Sequence, residues 1–312
     1  MNYVVTGGAG FIGSNYAHML LTNQLGPVDS VKVFDKLTYA GSLENLKSIS
    51  SDKRFTFIEG DICDEDLVNT SISEGDTIVH FAAESHVDRS ISGPSDFIRT
   101  NVVGTQVLLS AALHKKAGIF LHVSTDEVYG SVKTESSLES DPLHPNSPYS
   151  ASKASSDLLV RAYVQTYGLD ARITRCCNNY GANQFPEKFI PLIIEQIKHG
   201  KKIPVYGDGS NVREWIHVKD HCLGIQLAIT RGRRGEIYNL GSSESYSNLE
   251  LVKMILSRAS LTSNLIEFVE DRQGHDFRYS LNSKKSQLEL GFTHSFSLRD
   301  GIDELLMKAG LI

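Results

Sequence analysis

A short apolar run, Tyr3-Val4-Val5-Thr6, leads directly into Gly7-Gly8-Ala9-Gly10-Phe11-Ile12-Gly13, and a helix opens there. The turn satisfies both G-x-G-x-x-G (Gly8, Gly10, Gly13) and G-x-x-G-x-x-G (Gly7, Gly10, Gly13). Glycines permit a tight turn and let backbone approach a pyrophosphate, whose charge then sits on the helix N-terminus. A carboxylate, Asp35, ends the second apolar run. That places it roughly 20 residues on, where it accepts hydrogen bonds from an adenosine ribose. It would repel a 2′-phosphate, so NAD is expected over NADP. A glycine-rich loop serving only packing is the bland alternative.

The organisation beyond the turn agrees. Apolar runs at Tyr3–Thr6, Val31–Asp35, Phe55–Glu59, Thr77–Phe81, Ile119–Ser124 and Ala171–Thr174 do not alternate with polar residues. Strands buried on both faces read this way. Helical patterns lie between them at about 11–24, 64–72, 94–115 and 148–167. The alternation predicts an α/β fold with a Rossmann-type doubly wound parallel sheet. After about residue 176 the loops lengthen. Strands at Ile203–Tyr206, Ile237–Leu240 and Ile266–Val269 mix with helices near 187–199, 217–231, 247–259 and 298–308. We therefore expect a nucleotide domain over 1–175, with some later segments returning to it, and a smaller α/β substrate lobe over 176–312.

Composition narrows the partners. A net charge of −6 over 312 residues argues against a nucleic-acid binder. It leaves room for a local cationic site. The N-terminus has no basic, cleavable leader pattern, and no apolar run approaches the roughly 18 residues of a membrane span. Cys63, Cys176, Cys177 and Cys222 form no metal spacing and no C-x-x-C pair, so reduced thiols, no bound metal and a cytoplasmic enzyme are expected.

Three further stretches lie at strand ends. Gly60-Asp61-Ile62 offers a carboxylate either to an adenine amino group or to the start of the next helix. Phe81-Ala82-Ala83-Glu84-Ser85-His86 combines small residues that admit a ligand with a histidine that reads equally as packing. The fifth strand ends in Ser124-Thr125-Asp126-Glu127, two adjacent carboxylates where ligands collect in this architecture. Tyr149 and Lys153 stand four apart at a helix start, which puts both on one face. An ammonium beside a phenol stabilises the phenolate, so a lowered Tyr149 pKa is expected.

Together these residues resemble the extended short-chain dehydrogenase/reductase (NAD-dependent epimerase/dehydratase) superfamily, and within it the dTDP-glucose 4,6-dehydratases. The similar stretches include TGGAGFIGSN (6–15), HFAAESHVDRSI (80–91), HVSTDEVYGS (122–131), SPYSASKA (147–154), RCCNNYGANQFPEKFIPL (175–192) and YGDGSNVREWIHVKDHC (206–222). The resemblance implies an NAD-dependent lyase acting on a sugar nucleotide in deoxysugar biosynthesis. Tyr149 would take the O4 proton, with Thr125 on the same oxygen and Lys153 tuning Tyr149. Glu127 would take the C5 proton, and Asp126 would protonate the departing O6.

On the cofactor side the resemblance implies Gly7, Gly10, Phe11, Ile12 and Gly13, then Asp35, Lys36, Leu37 and Thr38. It adds Asp61 and Ile62, then Ala82, Ala83, Ser85 and Thr100, and finally Tyr149, Lys153 and Asn179. On the substrate side it implies Ser85, Thr125, Asn178, Glu187 and Lys188, followed by Pro204, Tyr206 and Arg213. Asn248, Arg272 and His275 match the nucleotide end. Lys188 and Arg213 match cations near the diphosphate. A homodimer is implied by analogy alone. Phe277 and Gln273 depart from the residues common in the family, which bears on base preference. The chain also ends short of an aromatic-rich terminal helix that many members carry. Rival activities are a UDP-sugar 4-epimerase, a dehydratase of another sugar nucleotide, and a non-catalytic NAD-binding protein. The acid pair argues against the epimerase, and the filled catalytic positions argue against the last.

Overall fold

Both faces of the first strand are covered, which explains its unbroken apolar run. Tyr3 and Val5 enter one core and Val4 enters another. The computed structural model describes residues 1–312. The chain forms β1 (Asn2–Thr6), α1 (Phe11–Leu21), β2 (Ser30–Asp35), β3 (Phe55–Glu59), α2 (Glu65–Ser71), β4 (Thr77–His80) and α3 (Val87–Ser92). A helical stretch follows as α4 (Pro94–Phe97), a π-helical turn over Ile98–Gly104, and α5 (Thr105–His114). Then come β5 (Ile119–Thr125), α6 (Pro148–Tyr167), β6 (Ala171–Cys176), β7 (Asn178–Tyr180), α7 (Phe189–Lys198), β8 (Ile203–Tyr206) and β9 (Val212–His217). The chain closes with α8 (Val218–Arg231), β10 (Ile237–Leu240), β11 (Ser245–Ser247), α9 (Asn248–Arg258), β12 (Ile266–Val269), α10 (Lys284–Leu290) and α11 (Leu298–Lys308).

Seven strands make one parallel sheet in the order β3-β2-β1-β4-β5-β6-β10. The strand order reverses between β1 and β4, and in open α/β sheets ligands bind outside the carboxyl ends at such a point. One face of the sheet packs on Tyr16 and Leu20 of α1 and on Ile225 and Ile229 of α8. The other packs on Leu108 of α5 and Val160 of α6. A third core, built from Ile193, Trp215, Leu251, Ile255 and Ile302, lies under the three-strand sheet β11-β9-β7 and the pair β12-β8.

Several elements differ from the sequence reading. Ile237–Leu240 is a strand as expected, but it extends the main sheet beside β6 instead of belonging to the smaller lobe. Helix α8 likewise packs on α1, β5 and β6. The expected single helix over 94–115 widens by a π turn in its middle. Asn178–Tyr180, Val212–His217 and Ser245–Ser247 are strands that polar residues had hidden. In β9, Arg213 and Glu214 are buried, and Glu214 accepts hydrogen bonds from the Ser243 and Leu281 amides at 2.8 and 3.1 Å. Buried ions beside buried Trp215 and Ile216 break the apolar run that marks a strand. All four cysteines are free thiols, and no helix is long and apolar enough to cross a membrane.

Leu240 is fully buried in β10 within the core shared with α8. Leu240→Ala is expected to lower unfolding stability by about 2–5 kcal/mol. The denaturant midpoint reads this, and a loss under roughly 0.5 kcal/mol would remove β10 from that core.

Candidate active site

The glycine turn closes against the end of β4. Gly7 has φ +68°, and a Cβ there would lie 2.5 Å from the Ala82 nitrogen. A Cβ on Gly13 would lie 2.4 Å from the Gly7 oxygen. Gly10 starts α1 with no side-chain cap and with no acid in the first turn. The opening amides, which line the cleft at Phe11, Ile12 and Gly13, therefore suit an anion. Asp35 lines the same cleft, and its carboxylate accepts hydrogen bonds from the Ala9 and Leu37 amides at 2.9 and 2.8 Å. Burial raises its pKa against those bonds.

The helix-capping alternative for Asp61 fails, because Asp64 caps α2 through the Leu67 amide. Asp61 instead pairs with Lys36 at 2.8 Å and lines the cleft with Ile62. Burial would raise its pKa, but Lys36 and the Cys63 amide outweigh it and lower it. Thr38, Ala82, Ala83, Ser85, Thr100 and Asn179 line the cleft. Leu37 does not. Its backbone turns at φ +54° and its side chain packs on the core, so only its amide serves the site. His86 opens α3, and its Nε2 lies 3.6 Å from Glu187 Oε2.

Helix α6 sets the catalytic face. Ser147 and Ser150 form a reciprocal capping box, Pro148 occupies the first turn, and left-handed Gly168 ends the helix. Tyr149 and Lys153 thereby meet the end of β5 in one cleft with Thr125, Asp126 and Glu127. Lys153 Nζ donates to the Val123 carbonyl at 2.8 Å. The expected lowering of the Tyr149 pKa is corrected here. Burial and then the Glu127 carboxylate hold the phenol well above its ordinary range, against an interaction with Thr125. Burial pulls Lys153 down to about 8.

The two acids sit in unlike surroundings. Asp126 is buried, accepts from Thr125 Oγ1 at 3.2 Å, and leaves Oδ2 without a partner. Burial, Glu127 and Glu214 push its pKa well up, which favours its protonated form. Glu127 is only partly covered. Burial raises it too, but Arg213, Arg272 and Lys188 all oppose the rise. One carboxyl is thus an acid, and its neighbour is the better base.

On the sugar side, Asn178 and Lys188 line the cleft, and Lys188 Nζ donates to the Ser85 carbonyl at 2.8 Å. Glu187 lies outside it, held by Arg89 at 2.8 Å. Arg213 donates to the carbonyls of Val212, Asp276 and Phe277 and lies over the Tyr279 ring at 4.4 Å. Tyr206, Arg272 and His275 gather around Asp88 and Asp271 instead. Arg272 is 3.4 Å from Asp88, His275 is 2.6 Å from Asp271, and the Tyr206 and His275 rings meet edge-on. Pro204 lies in β8 opposite Glu267, and Asn248 begins α9. None of these six lines the dinucleotide cleft. Sequence reading missed Cys176, Gln184 and Phe185, which do. Cys176 ends β6, so the same strand-end rule reaches it, whereas Gln184 and Phe185 carry no local signal.

The profile of the family described as GDP-mannose 4,6 dehydratase matches residues 4–305. A dTDP-glucose 4,6-dehydratase of an Actinoplanes species is 52% identical over 97% of this chain and 96% of its own. The crystal structure of DesIV, a dTDP-glucose 4,6-dehydratase from Streptomyces venezuelae with NAD bound, superposes with a TM-score of 0.97 at 51% identity, covering 98% of this chain and 96% of that one. A UDP-glucose 4-epimerase from Thermotoga maritima shares the fold at TM-score 0.90 but only 29% identity, with 99% of both chains covered. By sequence and by fold, the chain belongs to the dTDP-glucose 4,6-dehydratase family.

Proposed function

We propose that this chain is a dTDP-glucose 4,6-dehydratase, a hydro-lyase that converts dTDP-glucose to dTDP-4-keto-6-deoxyglucose. The observation that carries this is the acid pair, in one cleft with Tyr149 and Lys153. Asp126 is buried with an unpartnered Oδ2, and beside it stands Glu127 with its facing cations Arg213, Arg272 and Lys188. The glycine turn, the uncapped start of α1 and Asp35 fit NAD, and they would hold its pyrophosphate and ribose. When bound, NAD would supply reversible hydride chemistry between C4 and C6 without net consumption.

The residues of the chain move the protons. Tyr149 acts as the phenolate. The Lys153 ammonium and the positive charge that NAD would bring oppose the burial that raises the phenol. The phenolate takes the proton from O4 while Thr125 Oγ1 bonds the same oxygen. A ketone at C4 makes the C5 proton acidic, and the Glu127 carboxylate removes it. Asp126 gives its proton to O6, which leaves as water, and Glu127 returns its proton to C5. The O4 proton held by Tyr149 is released as Asp126 is reprotonated, which closes the balance. Asn178, Lys188 and the cationic group of Arg213 and Arg272 suit the sugar and its diphosphate. Epimerisation expels no hydroxyl and has no use for Asp126.

We read residues 1–175 as the dinucleotide body, joined by α8 and β10, and the rest of 176–312 as the sugar-nucleotide lobe. A cytoplasmic location suits four free thiols. A homodimer through α5 and α6 suits the exposed Val103 beside α5 and the exposed Leu158 on α6. Light scattering is expected to give twice the chain mass, and a single-chain mass would end that reading.

The direct test incubates the protein with dTDP-glucose and, separately, UDP-glucose, and follows the 4-keto sugar by its absorbance in strong base. Product from dTDP-glucose is expected. Product from UDP-glucose alone would reassign the substrate, and an epimer without ketone would refute a dehydratase. Asp126→Asn keeps the shape but has no acidic proton for O6. Its kcat for ketone formation is expected to fall roughly 10²–10⁴-fold. A kcat within a few-fold of wild type would remove Asp126 from the elimination.

A further inference from the structure

The Tyr149–Lys153 face of α6 continues one turn further. Asp157 stands four residues beyond Lys153, so the three side chains form a single stripe. Lys153 and Asp157 are both buried. Asp157 Oδ2 accepts from Arg175 Nε at 2.8 Å. Its Oδ1 has no hydrogen bond and lies 3.5 Å from His122 Nε2. That same ring nitrogen lies 3.4 Å from Lys153 Nζ. Arg175 is also occupied elsewhere, since it donates to Tyr129 Oη at 2.8 Å.

A carboxylate serving only Arg175 would turn both oxygens to it. Here one oxygen faces the guanidinium and the other faces the imidazole that touches Lys153. We infer that Asp157, across the His122 ring, is a positioning residue that holds Lys153 as an ammonium for the Tyr149 chemistry. This rests on the roles of Tyr149 and Lys153 proposed above.

The groups around Lys153 come from every neighbouring element. His122 on β5 and Cys176 on β6 approach from the sheet, with Arg175 behind Asp157. His80 on β4 lies beside His122 with ring centroids 5.2 Å apart and tilted, and is held between Thr6 and Thr105. Burial and the Lys153 charge push both histidines well below the ordinary range, so they are neutral. Asp157 is the carboxylate that opposes the burial of Lys153.

The sign follows directly. Removing the Asp157 charge leaves burial of Lys153 less opposed, so its pKa falls further. The ammonium is then lost at lower pH, and the alkaline limb of kcat/KM moves down with it. Asp157→Asn is expected to lower the Lys153 midpoint by about one pH unit. NMR of ε-¹³C-lysine-labelled protein without substrate reads the midpoint, with the resonance assigned by Lys153→Arg. The alkaline limb should shift by the same amount, and Asp157→Glu should restore both. Asp157→Asn leaves Arg175 buried without its partner. The double variant Asp157→Asn/Arg175→Met therefore repeats the measurement without an orphaned cation. A fall is expected in the same direction but smaller, since the opposing Arg175 charge leaves as well. A folded variant whose Lys153 midpoint and alkaline limb both stay in place would overturn the inference, and would mark Asp157 as the counter-ion of Arg175 alone. Because the midpoint is read without substrate, it fails or succeeds separately from the ketone assay.

Discussion

The buried polar seam where α6 meets β5 and β6 is the constraint on which the site depends. Charges taken out of water must be paired or they destabilise the fold. The seam meets this by continuity. Lys153 reaches the Val123 carbonyl and His122, Asp157 binds Arg175, Arg175 binds Tyr129, and Tyr129 donates to Asn239 of β10 at 2.8 Å. The late return of the chain to the main sheet has a reason in this line of contacts. Strand β10 covers the edge of β6 and supplies the last acceptor. The catalytic face of α6 is therefore held by partners drawn from three strands as well as by its own helical backbone.

The second determinant is an electrostatic contrast over very short range. Asp126 and Glu127 are neighbours in the chain, yet one is sealed among carboxylates and the other looks toward cations. Those cations come from separate places. Lys188 precedes α7, Arg213 lies in β9, and Arg272 follows β12. The segments after β6 thus supply the field that makes one acid a base, while the parallel sheet supplies the acids. Glu214 joins the two parts. It fastens the Ser243 and Leu281 backbones to β9 and adds its negative charge to the surroundings of Asp126.

Much of the cleft was legible because local rules place it. A strand that runs into glycines must turn tightly, and Gly7 and Gly13 do so with no room for a side chain. Residues at the carboxyl ends of β2, β3, β4 and β5 face one crevice in any sheet of this order, which is why Asp35, Asp61, Ala82 and Thr125 all arrive there. Leu37, which the resemblance implies on the cofactor side, turns its backbone left-handed and packs its side chain on the core. Strands β7 and β9 were missed because β7 is three residues long with two asparagines, and β9 interrupts its apolar residues with buried Arg213 and Glu214. The Tyr149 shift runs upward, not downward, because burial and the Glu127 charge dominate around the phenol.

The sequence by itself determined the parallel sheet, the dinucleotide turn and the helical face that carries Tyr149 and Lys153. Each of these follows from short-range sterics and from periodicity along one element. Only the tertiary structure decided which sheet β10 joins, where Arg213 and Arg272 direct their charge, and which member of the acid pair keeps its proton. Those outcomes depend on burial and on charges brought close from distant parts of the chain, and neither quantity exists until the chain has folded.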